Sequence, residues 1–245
     1  MATHRFKSLI QGELNRLYKY KVTQVSLLVA MIWMVVLYFV EGEIFNQLLP
    51  TLILVDATMM SLLYIGSVMF FEKKEGTMST MLVSPVTHHE MIGSKVIAHT
   101  IHNCFSTGLI IIVFVLLKDV QINYFLIIPS IILATFYHAV LGLYISFHQK
   151  NFTNLLMSIM SISIVLLIPS ILYAINILQG DVWKYLLLIN PIHASQIIIS
   201  QSFILVNIDW TFAFSFIYLL STLYIIYQYL VIKQFKKYAI NMSGV

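Results

Sequence analysis

Apolar runs separated by short polar joints dominate the chain. Six of them approach the roughly 20 residues that a helix needs to cross a hydrocarbon core of about 30 Å: 22–40, 48–71, 96–117, 124–147, 155–178 and 210–232. Backbone amides in lipid have no water to pair with, so each run is predicted to be a helix. No fixed-period repeat or low-complexity tract divides the chain. The expected architecture is all-α and integral to the membrane. A single six-span domain over 22–232 follows a basic segment at 1–21 and precedes a tail at 233–245.

Composition removes the soluble alternatives. Of 245 residues, 60% are apolar or aromatic and 10% are charged, against about 25% charged in an average soluble domain. The net charge of +4 does not point to nucleic acid, because the basic residues lie between apolar runs. Their distribution orients the chain instead. Twelve of the 14 Lys and Arg fall on one side, and only Lys118 and Lys184 on the other. Both termini are therefore expected in the cytoplasm. Cys104 is the only cysteine, which excludes an intramolecular disulfide and a cysteine-based zinc site. No cleavable leader is visible, so the first run is expected to remain as a span.

Three connections are longer than the rest. In 1–21, Phe6, Leu9, Ile10, Leu14 and Leu17 recur at helical spacing beside Arg5, Arg16, Lys19 and Lys21. That pattern suits a helix lying in the interface, apolar side towards the bilayer; an ordinary basic flank is the plain alternative. In the loop 72–95, Gly76 supplies a turn and Thr77 caps a short helix bearing Met78, Met81 and Leu82, which Pro85 ends. Thr87 and Glu90 then form a T-x-x-E capping box for the next helix. The shape suits docking, and equally a solvated hairpin. The outer loop 179–209 is apolar around Asn190-Pro191 and is read as short helices that re-enter the membrane or lie on its outer leaflet. Trp183 and Trp210 fit an interfacial belt.

Chemistry is sparse. No two of the nine glycines are five apart, so there is no G-x-x-x-x-G-K-[ST] loop and no ATP site of that kind on this chain. His88, His89, His99 and His102 invite comparison with membrane metal-oxygen enzymes, but repeated H-x-x-H-H boxes are missing. Asp56 lies inside the second run. An ionised carboxylate there costs about 2.5–3.5 kcal/mol on insertion scales, so it faces protein or water. It is either a polar contact in a translocation path or a packed group bonded to a neighbouring span. Pro169 removes a backbone donor to Val165 and predicts a kink, which Ser161 and Ser163 are placed to relieve. Ser61, Gly66, Ser67, Ser106, Gly108, Gly142 and Ser146 permit close helix approach.

The stretch Phe71-Glu72-Lys73-Lys74-Glu75-Gly76-Thr77, then Met81-Leu82-Val83-Ser84-Pro85-Val86 and Lys95, resembles the membrane subunits of ABC exporters of the second type, the ABC-2 permeases. Their second span ends in an E-x-x-x-G-T turn, followed by an L-L-x-[ST]-P segment and a lysine at the third span. The resemblance implies that Glu72, Glu75, Gly76, Thr77, Met78, Met81, Leu82 and Pro85 form a coupling helix and its turns, seated on a separate ATP-binding subunit. It implies that Arg5, Arg16, Lys19 and Lys21 belong to a connecting helix touching the same subunit. A second permease, identical or related, would complete the pathway in a bacterial plasma membrane, with Asp56 and Pro169 as candidate pathway residues. The chain itself would carry no cofactor, ATP and magnesium residing on the partner. Met78, Ser79 and Thr80 depart from the more charged residues common after G-T in this family. By family analogy the cargo is hydrophobic or amphiphilic, a drug or antibiotic ahead of lipid, peptide or glycan. The competing classes are a histidine-dependent membrane enzyme and a non-transporting membrane partner or immunity subunit of an ATPase. A neighbouring gene with a Walker motif separates the first of these from the others.

Overall fold

A computed structural model describes residues 2–77, 81, 85–118, 120–174, 176–203 and 207–242. The described residues fold mainly into helices: α1 (Ala2–Lys19), α2 (Val22–Tyr38), α3 (Gly42–Val55), α4 (Ser61–Glu75), α5 (His88–Leu117), α6 (Tyr124–Phe147), α7 (Phe152–Ala174), α8 (Asp181–Leu187), α9 (Pro191–Ser200), α10 (Trp210–Ile225) and α11 (Ile232–Met242). Two π-turns, Asp56–Met60 and Ile226–Val231, join α3 to α4 and α10 to α11. Among the described residues, five helical stretches are long and apolar enough to cross a membrane: Leu48–Glu75, His88–Leu116, Tyr124–Phe147, Phe152–Tyr173 and Trp210–Lys237. The α1–α2 pair, bent by 65° between them, supplies a sixth crossing when taken together.

Local chemistry sets the helix ends, and it moves several of them from the expected positions. The fourth span matches its apolar run, with the Asn123 side chain accepting from Phe125 N–H at 3.1 Å. The third begins eight residues before its run. Thr87 and Glu90 close the capping box there, Glu90 N–H to Thr87 Oγ1 at 3.2 Å and Thr87 N–H to Glu90 Oε2 at 2.9 Å. The fifth starts three residues early, where Asn151 accepts from Asn154 N–H at 2.7 Å. It ends before Asn176, whose positive φ of 60° turns the chain so that Ile177 N–H reaches Leu172 carbonyl at 2.9 Å. The last span runs beyond Ile232 to Lys237, and its helix continues to Met242.

The apolar outer loop divides in two. Helix α9 is driven into the bundle, with Ile192, Ala194, Ile198 and Ile199 fully buried beside Leu49, Ile53, Phe114 and Ala134. Helix α8 stays out, with Val182, Tyr185 and Leu186 exposed. Lys184 lies over the Trp210 ring at 6.0 Å. Asn190 links the loop to the rest. Its Oδ1 accepts from Ile192 N–H at 3.0 Å, and its Nδ2 donates to Leu166 carbonyl at 2.6 Å. Leu166 stands one residue after Val165, the carbonyl that Pro169 cannot serve. Helix α7 continues through Pro169. Ser161 is exposed and Ser163 is buried without a partner, so Asn190 and not these serines supports the proline segment.

Helices α4 and α6 pack tightly at Gly142. A Cβ built on Gly142 falls 2.7 Å from Ile65 Cγ2 and 2.9 Å from the Leu62 carbonyl oxygen. On Gly66 it falls 3.0 Å from Ile159 Cδ1, and on Gly108 it meets nothing within 4 Å, so Gly108 is not a packing glycine. Gly142→Ala is expected to cost about 1–3 kcal/mol through overpacking against backbone, while Gly108→Ala leaves the melting temperature in detergent unchanged. Asn190→Asp keeps the α9 cap and removes the donor to Leu166. It is expected to cost about 1–3 kcal/mol in the same assay.

Candidate functional site

Helices α1, α4 and α5 meet at the basic end of the bundle. The last turn of α4 carries Glu72 and Glu75, and Gly76 at φ +70° stops the helix there, its N–H reaching Lys73 carbonyl at 3.3 Å. Thr77 Oγ1 folds back onto Glu72 carbonyl at 3.2 Å. Glu72 itself is 0% exposed. Lys95 of α5 donates to its Oε1 and Oε2, both at 2.6 Å, and to Glu13 Oε1 of α1 at 2.9 Å. Arg16 donates to Glu13 Oε1 at 2.7 Å, Glu72 Oε1 at 3.1 Å and Met81 Sδ at 3.3 Å. Two carboxylates therefore face two cations. Each ion alone would cost several kcal/mol to desolvate, and only mutual pairing offsets that. Burial pushes the Glu13 carboxyl above its ordinary value, while Lys95 and Arg16 pull it down.

An outer rim extends this cluster along α1. Arg5 Nε and Nη2 donate to Glu90 Oε1 at 3.1 and 2.6 Å, and Nη1 donates to Pro85 carbonyl at 2.9 Å. Lys19 and the Tyr20 hydroxyl donate to Glu75 Oε2 at 3.2 and 2.9 Å. Burial and the neighbouring Glu75 push the Tyr20 hydroxyl pKa upward. Helix α1 is thus tied to both ends of the loop that follows α4. The elbow into α2 is Lys21, exposed and left-handed at φ 63°.

Most of the residues singled out from sequence meet here. Glu72 points inward to Lys95, and Arg5, Arg16 and Lys19 bond to Glu90, Glu13, Glu72 and Glu75. Met78 and Leu82 lie outside the described residues. The apolar side of α1 was expected to rest on lipid. Instead Leu14 and Leu17 pack on Tyr64 and Val68 of α4, and Phe6 faces Gly93 of α5. Protein contact wins because α4 and α5 present a complementary apolar surface beside the ion pairs. Glu13 and Lys95 escaped the sequence reading as a pair. The signal was present: Glu13 sits seven residues after Phe6, on the apolar stripe of its own helix.

Asp56 opens the π-turn between α3 and α4, and π-turns in long helices often mark functional positions. Its Oδ2 accepts from Thr107 Oγ1 of α5, and Asn103 Nδ2 donates to its backbone carbonyl at 3.4 Å. Asp56 also lines a small cleft with Val29, Trp33 and Met60. The histidines lie apart. His88 packs edge-on to Phe235, His89 lies against Tyr227, and His99 and His102 flank Tyr64. Among the described residues no three His, Cys, Asp or Glu are arranged to hold a metal ion.

A family model described as ABC-2 type transporter matches residues 4–204, from α1 through α9. No curated protein matches the chain.

Removing Lys95 from this cluster leaves two buried carboxylates with only the partly exposed Arg16 between them. Lys95→Met is expected to cost about 3–5 kcal/mol, read as loss of folded, monodisperse protein in detergent. Adding Glu72→Gln to Lys95→Met is expected to recover much of that loss, because Glu13 and Arg16 then remain as a matched pair.

Proposed function

Because the chain belongs to the ABC-2 type transporter family, we propose that it is the permease subunit of an ATP-driven exporter, powered by a separate ATP-binding subunit. The family match makes it a membrane-embedded transporter component; the direction, partner and cargo are the reading argued here. ATP and magnesium are assigned to the partner. A second permease, identical or related, completes the pathway, and both termini face the cytoplasm of a bacterial cell. The cargo is hydrophobic or amphiphilic, with a drug-like molecule as the first candidate.

The observation that carries this reading is the ion-pair ladder from α1 to Glu72, Glu75 and Glu90. A partner pressing on residues 76–87 would push α1 and α4 together, because buried charges resist separation. The displacement would reach α2 through the elbow at Lys21. Such a push shifts the pathway between states only if the nucleotide-bound partner holds them with different affinity. Glu75, Gly76, Thr77, Met78, Met81, Leu82 and Pro85 are the proposed contact segment. Glu72 acts one step behind it, as the joint between loop and bundle.

Arg5 and Glu90 test this, since a partly exposed pair is worth only about 0.2–1 kcal/mol and the fold survives its loss. Arg5→Glu and Glu90→Arg, each alone, are expected to lower substrate movement several-fold in vesicles containing the ATP-binding subunit, with subunit binding retained. The double exchange restores a substantial part. Normal movement in both single variants refutes the lever, and vesicles in which the wild type binds its ATPase yet moves no substrate favour a non-transporting partner.

A further inference from the structure

Helix α5 carries a polar stripe that the ladder does not use up. Lys95, His99, His102-Asn103 and Ser106-Thr107 recur every three or four residues and share one face, reaching about 18 Å from Lys95 to Thr107. All are buried. The far end is bonded: Thr107 to Asp56, Asn103 Nδ2 to Thr135 Oγ1 at 3.1 Å, and Ser26 Oγ to Ser106 Oγ at 3.3 Å. The near end is the Lys95 cluster. Between them the bonding stops. Both ring nitrogens of His99, Nδ1 of His102, the Tyr64 hydroxyl, Ser61 Oγ and Asn103 Oδ1 are buried with no protein partner. The Tyr64 ring meets both histidines edge-on, with centroids 6.3 and 6.4 Å away.

Leaving such a group dry is costly, and buried polar groups without protein partners are what internal water serves. The neighbouring Ser94 and Thr100 show the contrast, each bonding a carbonyl of its own helix at 3.0 and 2.8 Å. A small pocket lined by Glu13, Lys95 and His99 lies between the ion cluster and the first of the unpartnered histidines. Beyond Thr107 the same helix turns apolar, with Ile110, Ile111 and Phe114 packed against Leu49 and Ile53. The polar file is therefore closed at that end.

We propose that this file holds water and carries protons between the basic end of the bundle and Asp56. The step is a simple exchange. The Asp56 acid loses its O–H proton to an adjacent water and keeps the bonding pair as carboxylate. The proton then passes by successive donation along waters held by His102, Tyr64 and His99 to a carboxylate oxygen of Glu13, which takes it up as the acid. The titratable side chains near Asp56 are Tyr64 of α4 and Cys104 of α5. The cleft on its α2 side presents Val29, Ala30 and Trp33, none of them titratable. Helix α6 contributes Thr135 through Asn103. The inference rests on the membrane-spanning reading of the bundle and is independent of cargo and of ATP.

The test uses the full chain in sealed vesicles, with pH set separately on the two sides. The probe is dicyclohexylcarbodiimide, which reacts with protonated carboxyls in apolar surroundings, and the Asp56 peptide is quantified by mass spectrometry. Trypsin cleavage around Lys7 identifies the side carrying the basic end on the same vesicles, so a wrong orientation shows itself separately. Acidifying that side is expected to raise Asp56 labelling severalfold, and acidifying the opposite side to leave it unchanged. His99→Leu is expected to abolish most of the response, and His99→Gln, which still binds water, to keep it. Tyr64→Phe provides a second dry variant with the ring packing intact. Labelling that follows the opposite side, ignores both sides, or responds normally in both dry variants overturns the proposal.

Discussion

One lysine organises the basic end of this molecule. Lys95 is enclosed by protein and satisfied by carboxylates from two other helices, Glu13 of α1 and Glu72 of α4. None of the three charges is tolerable in such a place without the others. Their shared requirement brings three segments far apart in sequence to one point. The weaker exposed pairs, Arg5–Glu90 and Lys19–Glu75, add alignment more than stability. They settle which way α1 lies across the start of α5.

The same rule, that a polar group inside a membrane must find a partner, explains the joints elsewhere. Lys118 donates to the carbonyls of Leu37 at 3.2 Å and of Val40, and so serves the unsatisfied end of α2. Asn190 serves Leu166 beside the proline segment of α7 while capping α9. Thr107 serves Asp56. In each case one side chain closes a gap between two elements, and the apolar packing around it supplies the bulk of the cohesion. Single buried groups such as Ser163 also lack a partner, but from His99 to Asn103 they gather along one helix face.

Two short-range signals translated directly into structure: the Thr87–Glu90 box and the glycine turn at Gly76 with its positive φ. Both depend on backbone chemistry within a few residues, so no tertiary information is needed to read them. The helix at 2–19 was legible for the same reason, but not what its apolar side would touch. Leu14 and Leu17 have the same composition whether they face lipid or Tyr64 and Val68. Gly66 and Gly142 lie at close contacts while Gly108 faces open space, and nothing local distinguishes them.

Sequence alone determined that the chain is a helical membrane protein, where its apolar runs fall, and which family it resembles. Those follow from hydrophobic length, charge placement and a contiguous motif, all properties of neighbouring residues. Only the tertiary structure decided that Glu72 turns inward, that Glu13 and Lys95 meet, that α9 enters the bundle while α8 does not, and that Thr107 is the partner of Asp56. Pairings across 51 residues or 82 residues depend on how helices rotate and stack. That rotation is set by the packing of many surfaces at once, and it leaves no mark on any short stretch of chain.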